Sequence, residues 1–97
     1  MPEPLLTQEQ LDQEMRGLVD WMIRDGKLHR EFVFRDFVEA FGFMSGAALL
    51  AERVNHHPEW SNVYKKVSVD LVTHESGGIT AKDTALAKEM DRLAERR

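Results

Sequence analysis

Three of the chain's four histidines fall in the stretch ERVNHHPEWSNVYKKVSVDLVTHESGGITAKD, with Glu52 at its start and Asp83 at its end. Imidazoles near neutrality both donate and accept protons, so His56, His57 and His74 form a plausible set for general acid/base chemistry without a metal. Glu52 precedes His56 by one helical turn, so its carboxylate would orient that imidazole if a helix runs so far, with His56 in the last turn. His57 precedes Pro58, which disfavours helical backbone and makes the chain leave the helix there. His74 would arrive from the C-terminal end of a strand, on its more polar face, and the three rings could then line one cleft.

Each residue also has a plainer reading. Adjacent histidines at a helix end serve as polar capping groups, and His74 could be a surface residue at a strand end. A zinc site is less favoured: there is no cysteine and no pair of histidines at ligand spacing on a regular element. Asp83 is explained as the partner of Thr80 in a helix cap, and Glu52 as a solvated helix residue beside Arg53. Trp60 and Tyr64 read as packing residues, although an aromatic beside a polar cleft suits a flat heterocycle. Lys65 and Lys66 read as a solvated edge pair, and His29 as exposed and uninvolved.

The rest of the chain limits what these residues can belong to. With 97 residues, residues 1–97 form one domain with one modest core. A hydrophobic share of 42%, a charged share of 31% and a net charge of -4 describe a soluble protein without an electrostatic footprint for direct nucleic-acid contact. The absence of cysteine excludes disulfides and a thiol nucleophile. MPEPLLTQEQ has no basic region and no apolar stretch of signal-peptide length, and no segment approaches a membrane span, so a cytoplasmic location is expected.

Thr7 and Gln10 form a capping box with Leu6 and Leu11 at staple positions, so a short helix starts at Gln8 and ends before Gly17. LVDWMIRDGKLHREFVF reads as a β-hairpin around a type I′ turn at Asp25-Gly26. That register sets Ile23 opposite Leu28, Trp21 opposite Arg30 and Val19 opposite Phe32, with Asp20, Met22, His29 and Glu31 on the more polar face. Asp36 caps a longer helix to Val54 with two apolar stripes. One holds Phe37, Phe41, Met44, Ala48 and Ala51; the other holds Phe43, Ala47, Leu50 and Val54. One stripe can cover the sheet. The second is expected to meet another subunit, with Gly42, Gly46 and Ala47 allowing close approach; the alternative is cover by the first or last helix of the same monomer.

A short extended piece around Asn62 to Tyr64 precedes a strand in which Val67, Val69, Leu71 and Thr73 share one face. After a turn at Ser76-Gly77-Gly78, Thr80 caps a last helix with Leu86, Met90, Leu93 and Ala94 on its apolar face. The order helix, strand, strand, helix, strand, strand, helix predicts an α+β two-layer sandwich: a four-stranded antiparallel sheet with three helices on one face.

The set Glu52, His56-His57-Pro58, Tyr64, His74 and Asp83, at these spacings, resembles the signature of the pterin-4a-carbinolamine dehydratase family. FRDFVEAFGFM, HHPEWSNVY and KVSVDLVTHESGGIT are similar to that family's second helix, active-site turn and last strand, so the likeness covers most of the chain from about Trp21 onward. The resemblance implies a small α+β subunit assembled as dimers or tetramers, for which helix 36–54, read above as an interface, is the expected contact and the sheet edges a further option. It implies removal of water from 4a-hydroxytetrahydropterin, left after an aromatic amino acid hydroxylase has used its cofactor, to give quinonoid dihydropterin. No metal or organic cofactor is implied. It also implies catalytic or substrate-binding roles for His56, His57 and His74. On this reading His56 and His74 transfer protons near the 4a position, and His57 binds the pterin or shares in the transfer. Glu52, supporting His56, and Asp83, fixing the turn after His74, are expected helpers, and Pro58, Trp60 and Tyr64 are expected to bind or support the substrate. The resemblance brings a rival role too: some relatives act as dimerisation cofactors of a homeodomain transcription factor, which here would need the stripe Phe43, Ala47, Leu50 and Val54 to be exposed or exchangeable. A catalytically silent relative is the third reading.

Overall fold

The structure, a computed structural model, describes residues 2–95. Its elements are α1 (Gln8–Met15), β1 (Met22–Arg24), β2 (Lys27–Val33), α2 (Phe37–Val54), β3 (Glu59–Val63), β4 (Lys66–Leu71), a 3-10 turn (His74–Ser76) and α3 (Ala81–Glu95). The four strands form one antiparallel sheet in the order β1-β2-β4-β3. This is the expected α+β arrangement. Among the described residues, no helix is long and apolar enough to cross a membrane.

Alternation along the strands places the core. Leu28, Phe32 and Phe34 from the β2 segment, and Val67, Val69 and Leu71 from β4, are buried on one sheet face. α2 lies over them: the Phe43 ring sits 4.6 Å from that of Phe32 and 5.0 Å from that of Phe34. α3 adds Leu86, Ala87, Met90 and Ala94 to the same cluster. The capping box at Thr7 forms as expected, and Leu6, Leu11 and Met15 rest against the core.

The hairpin turn takes the expected form, with Asp25 and Gly26 both at positive φ and Ile23 paired with Leu28. The ladder stops at Met22, however, so the expected pairs Trp21 with Arg30 and Val19 with Phe32 do not form. Residues 16–21 turn instead, with the Trp21 N–H donating to the Leu18 carbonyl. That turn buries Leu18 and Trp21, three residues apart, and leaves Val19 82% exposed. The Trp21 indole N–H finds Asp91 at 2.8 Å, where Arg30 also binds.

α2 divides its apolar residues differently from the two expected stripes. Its buried side is Ala40, Phe43, Ala47 and Ala51, one continuous row at spacings of three and four. Phe43 and Ala47, expected to await a partner, therefore face this chain's own sheet. α3 covers the flank beside them: a Cβ on Gly46 would stand 2.8 Å from Leu93 Cδ2, so the close helix approach is internal. The free side of α2 carries Phe37, Val38, Phe41 and Leu49, all exposed.

β3 starts earlier than expected, at Glu59, and Tyr64 lies in the β3–β4 turn at φ 52°. Asn62 stabilises that turn by donating to the carbonyls of Tyr64 and Lys66. His29 is also not the exposed residue expected. It is 7% exposed, its Nδ1 lies 2.9 Å from Asp70 Oδ1, and the two form a cross-strand pair. The cause is position: β2 is an interior strand, so His29 is flanked by Met22 on β1 and Asp70 on β4.

Candidate active site

α2 ends in a way that sets the first two histidines. Asn55 adopts the left-handed conformation, the Asn55 N–H donates to the Glu52 carbonyl at 3.2 Å and the His56 N–H to the Ala51 carbonyl at 3.1 Å. This is a Schellman closure, in which a left-handed residue satisfies the last helical carbonyls and redirects the chain. His56 is therefore outside the helix and turned inward, whereas His57 is turned outward before Pro58.

The helix-turn expectation that Glu52 orients His56 is corrected by this closure. Glu52 Oε1 lies 2.9 Å from His57 Nε2, and both side chains are largely open to solvent. His56 Nε2 instead lies 2.6 Å from Asp83 Oδ1, in a pair with 8% exposure at the histidine and none at the carboxylate. Asp83 does serve Thr80 as expected: its Oδ2 accepts from the Thr80 N–H at 2.9 Å. The same oxygen accepts from the Thr73 hydroxyl at 2.9 Å, and Thr73 in turn lies 2.7 Å from the Thr80 hydroxyl. One buried carboxylate thus joins the end of α2, the start of α3 and the residue before His74.

His74 begins the 3-10 turn after β4 rather than ending the strand, because Thr73 closes a short loop by accepting from Ser76 and Gly77 and bonding Gly78. The N-terminal segment braces that loop: the Leu6 N–H donates to the Ile79 carbonyl, and the Ser76 hydroxyl donates to the Glu3 carbonyl. His74 Nε2 lies 2.6 Å from Glu59 Oε2, and Glu59 follows His57 by two residues. The His56–His57 turn and the Thr73–His74 turn are therefore tied together twice, through Asp83 and through Glu59.

All three histidines hydrogen-bond a carboxylate through Nε2. Such a bond fixes ring orientation and leaves Nδ1 as the other proton-handling atom. His57 and His74 are exposed, with side-chain exposures of 55% and 72%, so they can meet a ligand from solvent. His56 also borders a groove of about 310 Å³ between α2 and α3, lined by Leu50, Val54 and Leu86 among others. Among the described residues, no group of three His, Asp or Glu side chains converges to hold a metal ion.

Of the remaining expected residues, Pro58 stands beside His57 at the entrance to β3. Trp60 packs half-buried against the core on the opposite strand face from Glu59. Tyr64 lies in the β3–β4 turn, past the end of β3 away from Glu59. Sequence reasoning missed Glu59 and its second partner, Lys27, whose Nζ lies 2.6 Å from Glu59 Oε1. Alternation along HHPEW is the one signal that could have found it, since it sets Glu59 and His57 on one side of the chain.

Hydrogen bonding to Lys27, and secondarily to His74, holds the Glu59 carboxyl below its ordinary value; hydrogen bonding to Glu59 raises Lys27. A lowered carboxylate stabilises the fold above its unfolded pKa, and that contribution is lost as pH falls through the folded value. A raised ammonium stabilises below its unfolded pKa, and the contribution is lost as pH rises through the folded value. Lys27→Met is therefore expected to lower stability slightly between those limits and to match the wild type beyond both, because the pair is open to solvent. Urea unfolding across a pH series checks this; a difference constant at every pH would contradict it.

The sequence profile described as Pterin 4 alpha carbinolamine dehydratase matches residues 4–93. A protein of Solibacter usitatus named "Putative pterin-4-alpha-carbinolamine dehydratase" is 53% identical over 89 residues, covering 92% of this chain and 94% of its own length. A protein of the same name from Prochlorococcus marinus is 50% identical over 93 residues, covering 96% and 97%. A crystal structure from Brucella melitensis, titled a transcriptional coactivator/pterin dehydratase, superposes with a TM-score of 0.88 at 43% identity over 93% of this chain and 98% of that one. With a matching profile, relatives at half identity over nearly their whole length and the same fold, the chain belongs to the pterin 4 alpha carbinolamine dehydratase family of hydro-lyases.

Proposed function

We propose that this chain, as one domain, dehydrates 4a-hydroxytetrahydropterin to quinonoid dihydropterin, in regeneration of the tetrahydropterin used by aromatic amino acid hydroxylases. The observation that carries the mechanism is the set of three carboxylate-bound imidazoles on two turns tied to each other. One imidazolium gives a proton to the 4a-hydroxyl, which leaves as water. A neutral imidazole takes the proton from a ring N–H, whose electron pair forms the new C=N bond. One proton enters and one leaves, so the reaction needs groups that serve both directions near neutral pH. His57 and His74, being exposed, are the rings that meet the pterin; His56, buried against Asp83, positions the turn.

The test is a titration of histidine ring NMR signals with a stable dihydropterin. The signals of His57 and His74 should move and those of His29, enclosed with Asp70, should not. A titration that leaves both site histidines unmoved overturns the reading.

A second role rests on the free side of α2. Phe37, Val38, Phe41 and Leu49 form an exposed apolar face roughly opposite the buried row, and the Phe37 and Phe41 rings lie 5.8 Å apart. We propose that this face joins subunits into a homo-oligomer; exchange for another partner's helix is the alternative, non-catalytic reading. In sedimentation the wild type should run well above 11.2 kDa, and Phe41→Glu should shift it toward that mass. A wild type of 11.2 kDa at micromolar concentration would remove the oligomer.

A further inference from the structure

Glu59 occupies the first position of β3, and its two carboxylate oxygens have separate partners. Oε2 lies 2.6 Å from His74 Nε2, and Oε1 lies 2.6 Å from Lys27 Nζ. Lys27 opens β2, so this contact spans the sheet from β2 across β4 to β3. The neighbouring carboxylate on β4, Asp70, is paired directly with Glu59 in the ladder but is engaged by His29 at 2.9 Å. It therefore does not compete for His74. Asp70 and, after it, Asp25 in the hairpin turn are the other acidic groups acting on Lys27.

An ionised carboxylate only accepts, so the hydrogen of the His74–Glu59 bond resides on Nε2. In a neutral imidazole of that tautomer, the lone pair is on Nδ1. We propose that Glu59, anchored by Lys27, is a positioning residue that fixes His74 as the Nε2–H tautomer and so presents Nδ1 as the base of the dehydration. This rests on the dehydratase reading and deepens it. Nδ1 of His74 takes the ring N–H proton while the 4a C–O bond breaks, and the hydroxyl departs as water with a proton from another site imidazolium. The resulting His74 imidazolium returns its proton to solvent, to which the ring is open.

The test combines two readouts on wild type, Glu59→Ala and Glu59→Gln. Ring nitrogen shifts of 15N-histidine-labelled protein report the His74 tautomer, and steady-state kinetics of carbinolamine dehydration report kcat and KM. The wild type should show the Nε2–H pattern. Glu59→Ala should show a tautomer mixture and a kcat about tenfold lower, part of the 100-fold or more that a positioned base supplies, with KM little changed. Glu59→Gln keeps one acceptor oxygen, which Nε2–H and the Lys27 ammonium both require, so it should lie between wild type and Glu59→Ala, with tautomer and kcat moving together, which a purely structural loss would not do. Unchanged ring shifts in a fully active Glu59→Ala protein overturn the Glu59 assignment alone. A wild type that does not accelerate dehydration overturns the dehydratase reading, and the assigned role of Nδ1 with it.

Discussion

Asp83→Ala is expected to cost about 3–5 kcal/mol of folding stability, the largest loss from any single polar change in this chain. Asp83 has no solvent exposure and receives hydrogen bonds from His56 Nε2, the Thr73 hydroxyl and the Thr80 N–H. Alanine leaves all three donors buried, at about 1–3 kcal/mol for each that finds no new partner. For a domain of this size the loss corresponds to a melting temperature lower by roughly 15 °C or more. Asp83→Asn should fall between the two, because its amide keeps one acceptor oxygen but turns an N–H₂ toward a donor. Thermal unfolding at one fixed protein concentration checks both, since association would otherwise alter the apparent stability. An Asp83→Ala protein within about 1 kcal/mol of wild type would show that the carboxylate does not hold the two histidine turns together.

His57→Ala is expected to separate activity from stability. Its side chain is 55% exposed and its hydrogen-bond partner, Glu52, is more exposed still. An exposed pair of this kind contributes about 0–1 kcal/mol, so the variant should unfold within a few degrees of the wild type. A positioned acid or base contributes about 100-fold to 10,000-fold in rate, so kcat should fall at least about 100-fold. Comparable kcat in a stably folded variant would remove His57 from the chemistry.

The contrast between these two variants also marks what the sequence could convey. Elements governed by local rules were legible: the Thr7–Gln10 box, the Asp25-Gly26 turn and the Asp36 cap all depend on residues within four positions of one another. The alternation that buries Val67, Val69, Leu71 and Thr73 was equally plain. The pairing of His56 with Asp83 was not, because 27 residues separate them and each has a sufficient local explanation as a cap. Glu52 was assigned to His56 by helical spacing, and the left-handed Asn55 broke that spacing one residue before the histidine. Asparagine tolerates this conformation better than most residues, so the dipeptide Asn55-His56 carried a signal for the helix end that periodicity overrode. The two stripes of α2 failed for a related reason. Which apolar row faces the sheet depends on where α3 packs, and Leu93 against Gly46 is a contact no local pattern encodes.

Stopped-flow absorbance of 4a-carbinolamine decay reports whether these imidazoles carry the dehydration. The decay would be followed without protein, with wild type and with His57→Ala in one series. The wild type should accelerate the decay clearly, and the variant should leave it close to the spontaneous rate. Decay at the spontaneous rate in the presence of wild type, or equal acceleration by both proteins, would contradict it.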